Sequence, residues 1–329
     1  MAQKPRAWSH SLMCAVALVI AFAASSIVIA SDYPARPIRL IVPFGPGGIT
    51  DIIARQVAKG LGERLGQPVI VENKPGAGHV LAMQTVATAQ PDGYTILFGS
   101  NTGFTIAPHV YKNLGYDVIK SFTLIAPIYA SPVVLLARPD FPANSLTEFV
   151  NLAKSKPNTL NYGSYGAGTS AHLSMEIFKK DMGIDVLHIP YKGDAGAIQA
   201  LLSKDVDVAF ITMFSAGSRI RSGELKAIGL FQSERVASLG SIQTTAEAGS
   251  KNADFPTWGA LFVPAATPTD IVQRLEEATR SVTSQKQYQD FLRDRGTEPL
   301  QTENAKLLQF MHDQSSRIAP LVTTIGLKP

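Results

Sequence analysis

One arrangement occurs twice in this sequence: an apolar strand pattern, a glycine-rich turn and then a helical pattern. In the first copy Ile38–Val42 leads into Pro43–Asp51, and in the second Leu160 leads into Gly163–Ser170. A strand that ends in such a turn and opens a helix presents free backbone N–H groups at the positive end of the helix dipole. The sequence therefore predicts two anion sites, on two lobes that hold one negatively charged ligand between them.

The first thirty residues have the layout of a secretory signal peptide. Lys4 and Arg6 precede the largely apolar stretch Leu12–Ile29, and the polar segment that follows begins at Ser31. A membrane anchor is the alternative, because this stretch approaches the ~20 residues that cross a bilayer. No basic cluster follows it, so we predict that residues 1–30 are removed and that the mature chain is periplasmic.

Charge and cysteine content exclude several classes of function. The only cysteine, Cys14, lies in the predicted signal peptide, so the mature chain has no disulfide and no thiol nucleophile. Removal of Lys4 and Arg6 from the 30 basic residues leaves 28 against 26 acidic residues. No run of lysine or arginine occurs, so we expect no nucleic acid and no membrane surface as a partner. Anion binding must come from local geometry.

Short strand patterns alternate with helical patterns along the remaining chain. This alternation predicts an α/β fold in which mostly parallel sheets are flanked by helices. The predicted strands are Ile38–Val42, Val69–Val71, Tyr94–Phe98, Val133–Ala137, Leu160–Tyr162, Val186–His188, Val206–Ile211, Leu225–Phe231 and Ala260–Val263. The predicted helices are Asp51–Leu65, Val80–Ala89, Leu146–Lys154, Ser170–Met182, Ala195–Leu202, Thr269–Val282, Gln285–Asp294 and Ala305–Ile318.

Two segments of mixed polarity, each with a proline, are predicted to connect two lobes. They are Ala126–Pro132 and Lys251–Thr257. Lobe 1 is expected to comprise residues 31–131 together with 252–329, and lobe 2 residues 132–251. Two crossings between lobes favour a hinge.

The first glycine-rich loop is a candidate ligand site. Its glycines allow a positive φ and the close approach of a ligand to the backbone. Thr50 adds a hydroxyl and Asp51 falls in the first helical turn, where either side chain is expected to cap the helix. An ordinary strand-to-helix connection is the alternative. The loop is neither a dinucleotide fingerprint nor a P-loop, because it lacks the G-x-G-x-x-G spacing and a lysine.

The second loop offers hydroxyls and a histidine. Ser164, Thr169 and Ser170 lie among its glycines, and Thr169 or Ser170 is expected to cap the following helix. His172 falls in the first helical turn, where it either donates to an anion or simply caps and packs. Both interpretations stay open at this point.

Two further segments follow predicted strands. Lys74–His79 is a third glycine-containing loop that either faces the cleft or forms an ordinary tight turn. Ser100 and Asn101 follow the strand Tyr94–Phe98, and Asn101 has both a donor and an acceptor for a ligand. Because ligands collect where the carboxyl ends of parallel strands meet, all four loops are expected to converge.

No catalytic constellation emerges from the sequence. The second loop misses the G-x-S-x-G spacing of a nucleophile elbow, and the histidines have no metal-ligand spacing. We therefore predict a protein that is not an enzyme and that uses no metal and no cofactor. A secreted α/β enzyme for an acidic substrate, with His172 as its acid or base, is the alternative.

Several motifs, in order along the chain, resemble one family. They are Val42–Asp51, Val71–Gly78, Pro91–Leu97, Tyr162–Leu173, Pro190–Gly193, Gly223–Ala227, Ala246–Gly249 and Trp258-Gly259. Together they cover nearly all of the mature chain. They are similar to the Bug family, the TctC-like extracytoplasmic solute receptors of tripartite tricarboxylate transporters.

This resemblance implies a fold, a ligand class and partners. The fold is a two-lobed periplasmic-binding-protein fold of type II, with a cleft that closes like a flytrap. The ligands of the family are small carboxylates: di- and tricarboxylic acids, acidic amino acids or aromatic acids. The partners are the membrane subunits of a tripartite tricarboxylate transporter or, alternatively, a signalling sensor, and we expect a monomer.

The resemblance also implies that backbone amides and hydroxyls of the two glycine-rich loops hold the carboxylate. His79 stands where the family usually has a further glycine, which leaves the identity of the ligand open. The predicted ligand-binding residues are Phe44, Gly47, Gly48, Ile49, Thr50, Asp51, Ser100, Asn101, Ser164, Gly166, Ala167, Gly168, Thr169 and His172.

Overall fold

The computed structural model describes residues 33–235, 239–240 and 242–326. The predicted signal peptide 1–30 and Cys14 lie outside the described residues. Of the described residues, Tyr33–Ala35 belong to a unit distinct from the one that begins at Arg36. Within the described ranges, none of the helices combines the length and the apolar character that crossing a membrane requires.

The body is built from strands and helices that alternate along the chain. The strands are β1 (Ile38–Val42), β2 (Val69–Asn73), β3 (Thr95–Ser100), β4 (Phe122–Ser131), β5 (Val133–Ala137), β6 (Asn161–Ser164), β7 (Leu187–Pro190), β8 (Val208–Thr212), β9 (Lys226–Leu230), β10 (Thr257–Pro264) and β11 (Glu298–Pro299). The helices are α1 (Ile49–Leu65), α2 (Val80–Ala87), α3 (Ala107–Val110), α4 (Leu146–Ser155), α5 (Ser170–Met182), α6 (Asp194–Leu202), α7 (Met213–Arg221), α8 (Thr269–Thr283), α9 (Lys286–Arg293) and α10 (Asn304–Ile325). A 3₁₀ turn, Ala77–His79, precedes α2, and a π-helical turn, Thr102–Ile106, precedes α3.

The strands form two mixed sheets, which confirms the predicted two-lobed α/β fold. The six-stranded sheet has the order β11-β4-β10-β3-β1-β2, and the five-stranded sheet has the order β7-β6-β8-β5-β9. In the first sheet β1 to β4 share one direction, and in the second β6 to β9 do.

The sheets are less regularly parallel than predicted, because β10 and β5 are inserted in the opposite direction. β10 lies antiparallel between β3 and β4, and β5 lies antiparallel between β8 and β9. In both cases the chain arrives from the other lobe and then forms the strand. The strand therefore begins at the edge of the sheet where its neighbours end. This shared edge is where the two lobes face each other.

The segment Ala126–Pro132 is mostly strand, and the chain passes from the six-stranded to the five-stranded sheet within it, where the sequence predicted a connection. It forms the end of β4, and only Pro132 separates β4 from β5. Pro127 misled the prediction, since a proline cannot donate to a sheet ladder. It is tolerated because β11 pairs only with Tyr129 and Ala130, and because β4 is bulged near the Pro127–Ala260 pair.

Each lobe has its own apolar core, and α10 contributes to both. Leu307 and Met311, near its start, pack with β3, β4 and β10 of the six-stranded sheet. Ile318 and Val322, about two to four turns later, pack with β5, β6 and β8 of the five-stranded sheet. Between them the buried Gln314 accepts hydrogen bonds from Thr105 (2.9 Å) and Trp258 (3.1 Å). The C-terminal helix therefore joins the two cores.

Candidate functional site

Two adjoining cavities lie between the lobes. The inner pocket has a volume of about 10 Å³, which is room for roughly one water molecule. It is lined by Phe44, Gly48, Ile49, Thr50, Tyr165, Gly193, Asp194, Thr212 and Thr257. The outer cavity has a volume of about 420 Å³ and is lined by Pro43, Phe44, Pro75, Gly76, Ala77, Gly78, His79, Tyr111, Tyr165, Gly166, Ala167, Thr169, Tyr191 and Lys192.

Phe44 and Tyr165 line both cavities and mark the boundary between them. The centroids of their rings are 6.1 Å apart, with the rings nearly perpendicular. The opposing backbones also approach closely here. A Cβ atom added to Gly45 would lie 2.7 Å from the carbonyl oxygen of Lys192, and one added to Gly48 would lie 3.9 Å from the backbone nitrogen of Asp194. The two lobes are therefore in contact across the site.

The first loop is held by the carboxylate of Asp51. Asp51 accepts hydrogen bonds from the backbone N–H of Gly47 (3.0 Å) and from the side chain of Asn73 (2.9 Å). Arg55 adds two more, at 2.9 and 3.1 Å. Burial raises the pKa of Asp51, but these hydrogen bonds outweigh burial and lower it overall. Asp51 is therefore a charged group that fixes the shape of the loop.

The predicted capping of α1 by Thr50 or Asp51 is wrong. The helix begins at Ile49, so its N-cap is Gly48, which has no side chain to accept a backbone hydrogen bond. The hydroxyl of Thr50 is instead hydrogen-bonded to that of Tyr129 (3.1 Å). The first backbone N–H groups of α1 consequently face the inner pocket without a local cap.

The second loop is held by uncharged groups. His172 Nδ1 accepts a hydrogen bond from the backbone N–H of Gly168 (3.2 Å). Thr169, the N-cap of α5, donates its hydroxyl proton to the carbonyl oxygen of Gly166 (2.6 Å) and does not cap the helix as predicted. The hydroxyl of Tyr165 lies 2.6 Å from that of Ser170, and a weaker contact joins it to the backbone N–H of Ala171.

His172 is stacked on His188, behind the second loop. Their ring centroids are 4.0 Å apart, and His188 Nε2 lies 2.7 Å from Ser164 Oγ. Burial lowers the pKa of His172 to about 4 and that of His188 to about 3. Both rings are therefore neutral near pH 7, and of the two interpretations left open for His172, capping and packing is the one that these contacts match.

A buried carboxylate, Asp194, lies at the start of α6 in the inner pocket. Its Oδ2 accepts hydrogen bonds from the hydroxyls of Thr212 (2.6 Å) and Ser215 (2.7 Å). Its Oδ1 has a 3.4 Å contact with the backbone N–H of Thr212. The backbone of Ile49, in the other lobe, also hydrogen-bonds to this carboxylate. Burial raises the pKa of Asp194, although these bonds partly oppose the shift.

The third glycine-containing loop faces the outer cavity through His79. This residue has a φ of 76°, the left-handed region that side chains other than glycine rarely adopt. Its ring lies 4.2 Å from that of Phe44, and its Nδ1 is 3.0 Å from Ser100 Oγ. Burial lowers the pKa of His79 to about 3. Its buried Nε2 has no hydrogen-bond partner among the described residues.

The predicted site residues divide into two groups. Those that line a cavity are Phe44, Gly48, Ile49, Thr50, Gly166, Ala167 and Thr169. Those that support the lining from behind are Gly47, Asp51, Ser100, Asn101, Ser164, Gly168 and His172. Asn101, for example, donates to the carbonyl oxygen of Pro256 (3.1 Å), beside the start of β10. Contact of either group with a ligand stays a prediction.

Sequence reasoning missed the segment that faces the first loop. The strand β7, the turn Tyr191–Gly193 and the helix α6 form a further strand–glycine–helix arrangement. That signal was present in the sequence and would have placed Asp194 at a helix start. No sequence signal identifies Thr212 or Thr257 as a site residue. Each reaches the inner pocket only because strands that are distant in the chain come together in the fold.

The charges around the inner pocket are unusual for an anion site. Asp194 is the only acidic residue in its lining, and no lysine, arginine or histidine is part of that lining. The described ranges also contain no group of three or more histidine, cysteine, aspartate or glutamate side chains that would hold a metal ion.

Comparisons with known proteins agree with this geometry. Residues 53–327 match the family described as "Tripartite tricarboxylate transporter family receptor". A UPF0065 protein of Bordetella pertussis is 56% identical over 319 residues, which cover 97% of this chain and 98% of the relative. The structure of the periplasmic binding protein BugD is similar with a TM-score of 0.84 and 34% identity, over 90% of this chain and 99% of BugD.

A further similar structure contains a ligand. MatC from Rhodopseudomonas palustris, solved with bound malate, has a TM-score of 0.81 and 32% identity. The match covers 88% of this chain and all of MatC (100%). The family and these structural neighbours are binding receptors.

Proposed function

The chain belongs to the tripartite tricarboxylate transporter receptor family, and on that premise we propose that it captures a small organic carboxylate in the periplasm and delivers it to a transporter of the tripartite tricarboxylate type. The observation that carries this proposal is the pair of cavities between the lobes, at the starts of α1, α5 and α6. Helix starts supply backbone N–H groups and a positive dipole end to an anion. The malate in MatC is an example of such a solute in a relative.

The proposal includes the lobes and their movement. Lobe 1 comprises residues 31–131 with 252–329, lobe 2 comprises residues 132–251, and residues 1–30 are the cleaved signal peptide. A solute enters while the lobes are apart and is enclosed when they close. The close approach of Gly45 to Lys192 is the contact expected of a closed cleft. In this movement α10, which packs on both cores, bends or slides on one of them.

Calorimetric titration of the mature protein tests the function directly. The panel comprises mono-, di- and tricarboxylates, acidic amino acids and aromatic acids. We expect at least one compound to bind with a dissociation constant in the micromolar range or below. Mass spectrometry of the ligand released from gently purified protein identifies the natural solute. A panel without binding, together with a purified protein that carries no acid, would contradict the proposal.

A charge placed in the outer cavity tests whether the solute binds there. Ala167 lines this cavity, is partly exposed and needs no positive φ. Ala167→Asp is expected to weaken carboxylate binding by about tenfold or more relative to Ala167→Asn, because it adds a like charge at nearly the same volume. Equal affinities of the two variants, measured by the same titration, would remove the outer cavity from the site.

The partner is tested separately. We propose the membrane subunits of a tripartite tricarboxylate transporter, with a sensor protein as the alternative. Cross-linking of the loaded receptor in the periplasm, followed by identification of the captured membrane protein, distinguishes the two. Uptake of the identified acid that is unchanged in cells lacking this protein would contradict the transport role.

A further inference from the structure

The two cavities carry opposite charges. The inner pocket contains the carboxylate of Asp194 and no basic side chain in its lining. The outer cavity is lined by Lys192, which has no ion pair with any described residue. It is also lined by His79, whose buried Nε2 lacks a hydrogen-bond partner within the described ranges. A solute that spans both cavities therefore meets donors at one end and an acceptor at the other.

The acceptor at the inner end is one oxygen of Asp194. Oδ2 already receives two short hydrogen bonds, from Thr212 and Ser215. Oδ1 has the 3.4 Å contact with the backbone N–H of Thr212, and the backbone of Ile49 also hydrogen-bonds to this carboxylate. Because Asp194 is only 3% exposed, the hydrogen bonding of Oδ1 is completed at most by the single water molecule for which the inner pocket has room. A donor group of a solute would complete it.

A second carboxylate is a poor fit to the inner pocket. Two carboxylates at close range disfavour each other's ionisation, and the effect grows in a buried site with no cation. The first N–H groups of α1 do attract an anion, but one of them already contributes to Asp194. The room for roughly one water molecule further restricts the end group to a small one.

We propose that Asp194 determines the solute class of this receptor: a solute with a single carboxylate, bound in the outer cavity, and a small hydrogen-bond donor such as an amide or hydroxyl that reaches Asp194. Dicarboxylates are rejected by the charge of Asp194. The aromatic rings of Phe44 and Tyr165, at the boundary of the cavities, pack against the middle of the solute. This inference rests on the proposed receptor function.

Matched pairs of ligands test the inference. Each pair is a dicarboxylate and its monoamide, which have nearly the same shape but differ by one charge: succinate and succinamate, adipate and adipamate, isophthalate and its monoamide. Calorimetric titration at pH 7 gives the ratio of affinities within each pair. For the native protein we expect the monoamide to bind at least about tenfold more tightly, as like charges in an interface are costly.

Asp194→Asn removes the charge and keeps the shape. It is expected to abolish the preference for the monoamide, mainly by strengthening the binding of the dicarboxylate. Asp205→Asn is the matched control, because Asp205 lies in the same lobe but is exposed and lines neither cavity. It should leave the ratio unchanged. Should Asp194→Asn fail to fold, as judged by circular dichroism, Asp194→Ser takes its place.

Lys192→Gln tests the other end of the solute. It is expected to weaken both members of a pair by a similar factor of about three to ten, since both present a carboxylate to the outer cavity. If the variant changed the ratio of affinities within a pair, and not the affinity of both members, the shared carboxylate would bind elsewhere. That result would overturn the proposed orientation.

The outcomes separate this inference from the receptor function. A monoamide preference that disappears in Asp194→Asn supports the inference. Dicarboxylates that bind the native protein as tightly as their monoamides, or a preference that survives Asp194→Asn, overturn the inference and leave the receptor function in place. If no member of any pair binds either the native protein or Asp194→Asn, the inference fails, and the receptor function fails with it only if the wider panel of acids also shows no binding and the purified protein carries no acid.

Discussion

The two glycine-rich loops have similar sequences but are held by groups of different charge. In the first loop the carboxylate of Asp51 accepts the backbone N–H of Gly47, and Asp194 lies in front of the helix that follows. In the second loop the neutral ring of His172 accepts the backbone N–H of Gly168, and the hydroxyl of Tyr165 lies at the helix start.

This difference teaches that a helix start is not by itself a site for a ligand's anion. The backbone of Ile49, at the start of α1, already hydrogen-bonds to the carboxylate of Asp194, and the pKa of Asp51 is lowered. The first loop therefore has negative charge beside it before any solute binds. The second loop is held by uncharged groups and lies beside Lys192 in the outer cavity. The two loops therefore are expected to differ in their response to pH, to added bulk and to loss of a hydrogen-bond donor.

The largest expected effect is a difference between the two loops in how acid changes their contribution to the free energy of unfolding. The pKa values of His172 and His188, about 4 and about 3, lie below the ordinary value of 6.5. The unfolded state therefore binds protons first, so their contribution to stability is fully present above pH 6.5 and is lost as the pH falls toward 4 to 3. At pH 5 each loses about 2 kcal/mol of the free energy of unfolding, at 1.36 kcal/mol per pKa unit.

The first loop behaves differently in acid. The lowered pKa of Asp51 means that its contribution persists down to about pH 3.8 and is lost only below it. The raised pKa of Asp194 has the opposite sign, since its contribution is greatest below pH 3.8 and is lost as the pH rises. Urea unfolding at pH 7 and pH 5 measures the sum, which also includes a decrease from His79, whose pKa is about 3. In His188→Gln the decrease in the free energy of unfolding from pH 7 to pH 5 should be smaller, by roughly half of the part assigned to the histidine pair. An unchanged decrease would contradict this assignment.

The second prediction compares two glycines of the first loop that differ in how closely the backbone of the other lobe approaches them. Gly45→Ala places a methyl group 2.7 Å from the carbonyl oxygen of Lys192, a backbone atom that cannot rotate away. We expect the lobes to be held apart and solute affinity to fall by about 100-fold, or roughly 3 kcal/mol. The matched variant Gly48→Ala meets only an ordinary 3.9 Å contact, at a φ of −85° that alanine adopts readily.

Small-angle scattering and calorimetry of the two variants check this prediction. Gly45→Ala should have the larger radius of gyration in the presence of solute, whereas Gly48→Ala should have the radius of the native protein, because its methyl group meets no close backbone atom. Native-like binding by Gly45→Ala would show that the approach of these two backbones is not needed to hold the solute.

The smallest expected effect is the difference in stability between losing a hydrogen bond to a charged group and losing one to a neutral group. Thr212→Val removes the 2.6 Å donor to Asp194 and is expected to lower the free energy of unfolding by about 2 kcal/mol. Ser164→Ala removes the neutral partner of His188 behind the second loop and should cost about 1 kcal/mol. Both are measured by urea unfolding at pH 7. Equal costs would mean that Asp194 is not ionised in the folded protein.

Much of the fold was predictable because it depends on local patterns. The bounds of β1, β5 and α5 match the sequence prediction to the residue, since apolar periodicity and flanking glycines determine where these elements begin and end. Gly183 follows α5 with a φ of 62°, the left-handed conformation in which a glycine commonly caps the end of a helix. The end of β4 was missed because a proline signalled a break that the weakly paired side of this strand tolerates.

The sequence by itself determined the strand–glycine–helix arrangements, the two-lobed α/β class and the family. Only the tertiary structure decided which groups face each helix start. Ile49 and Asp194 are far apart in the chain, and their contact depends on how two lobes meet. His79 is likewise placed against Phe44 by packing between loops. The charge of a site depends on burial and on neighbours across the cleft, which no local pattern records.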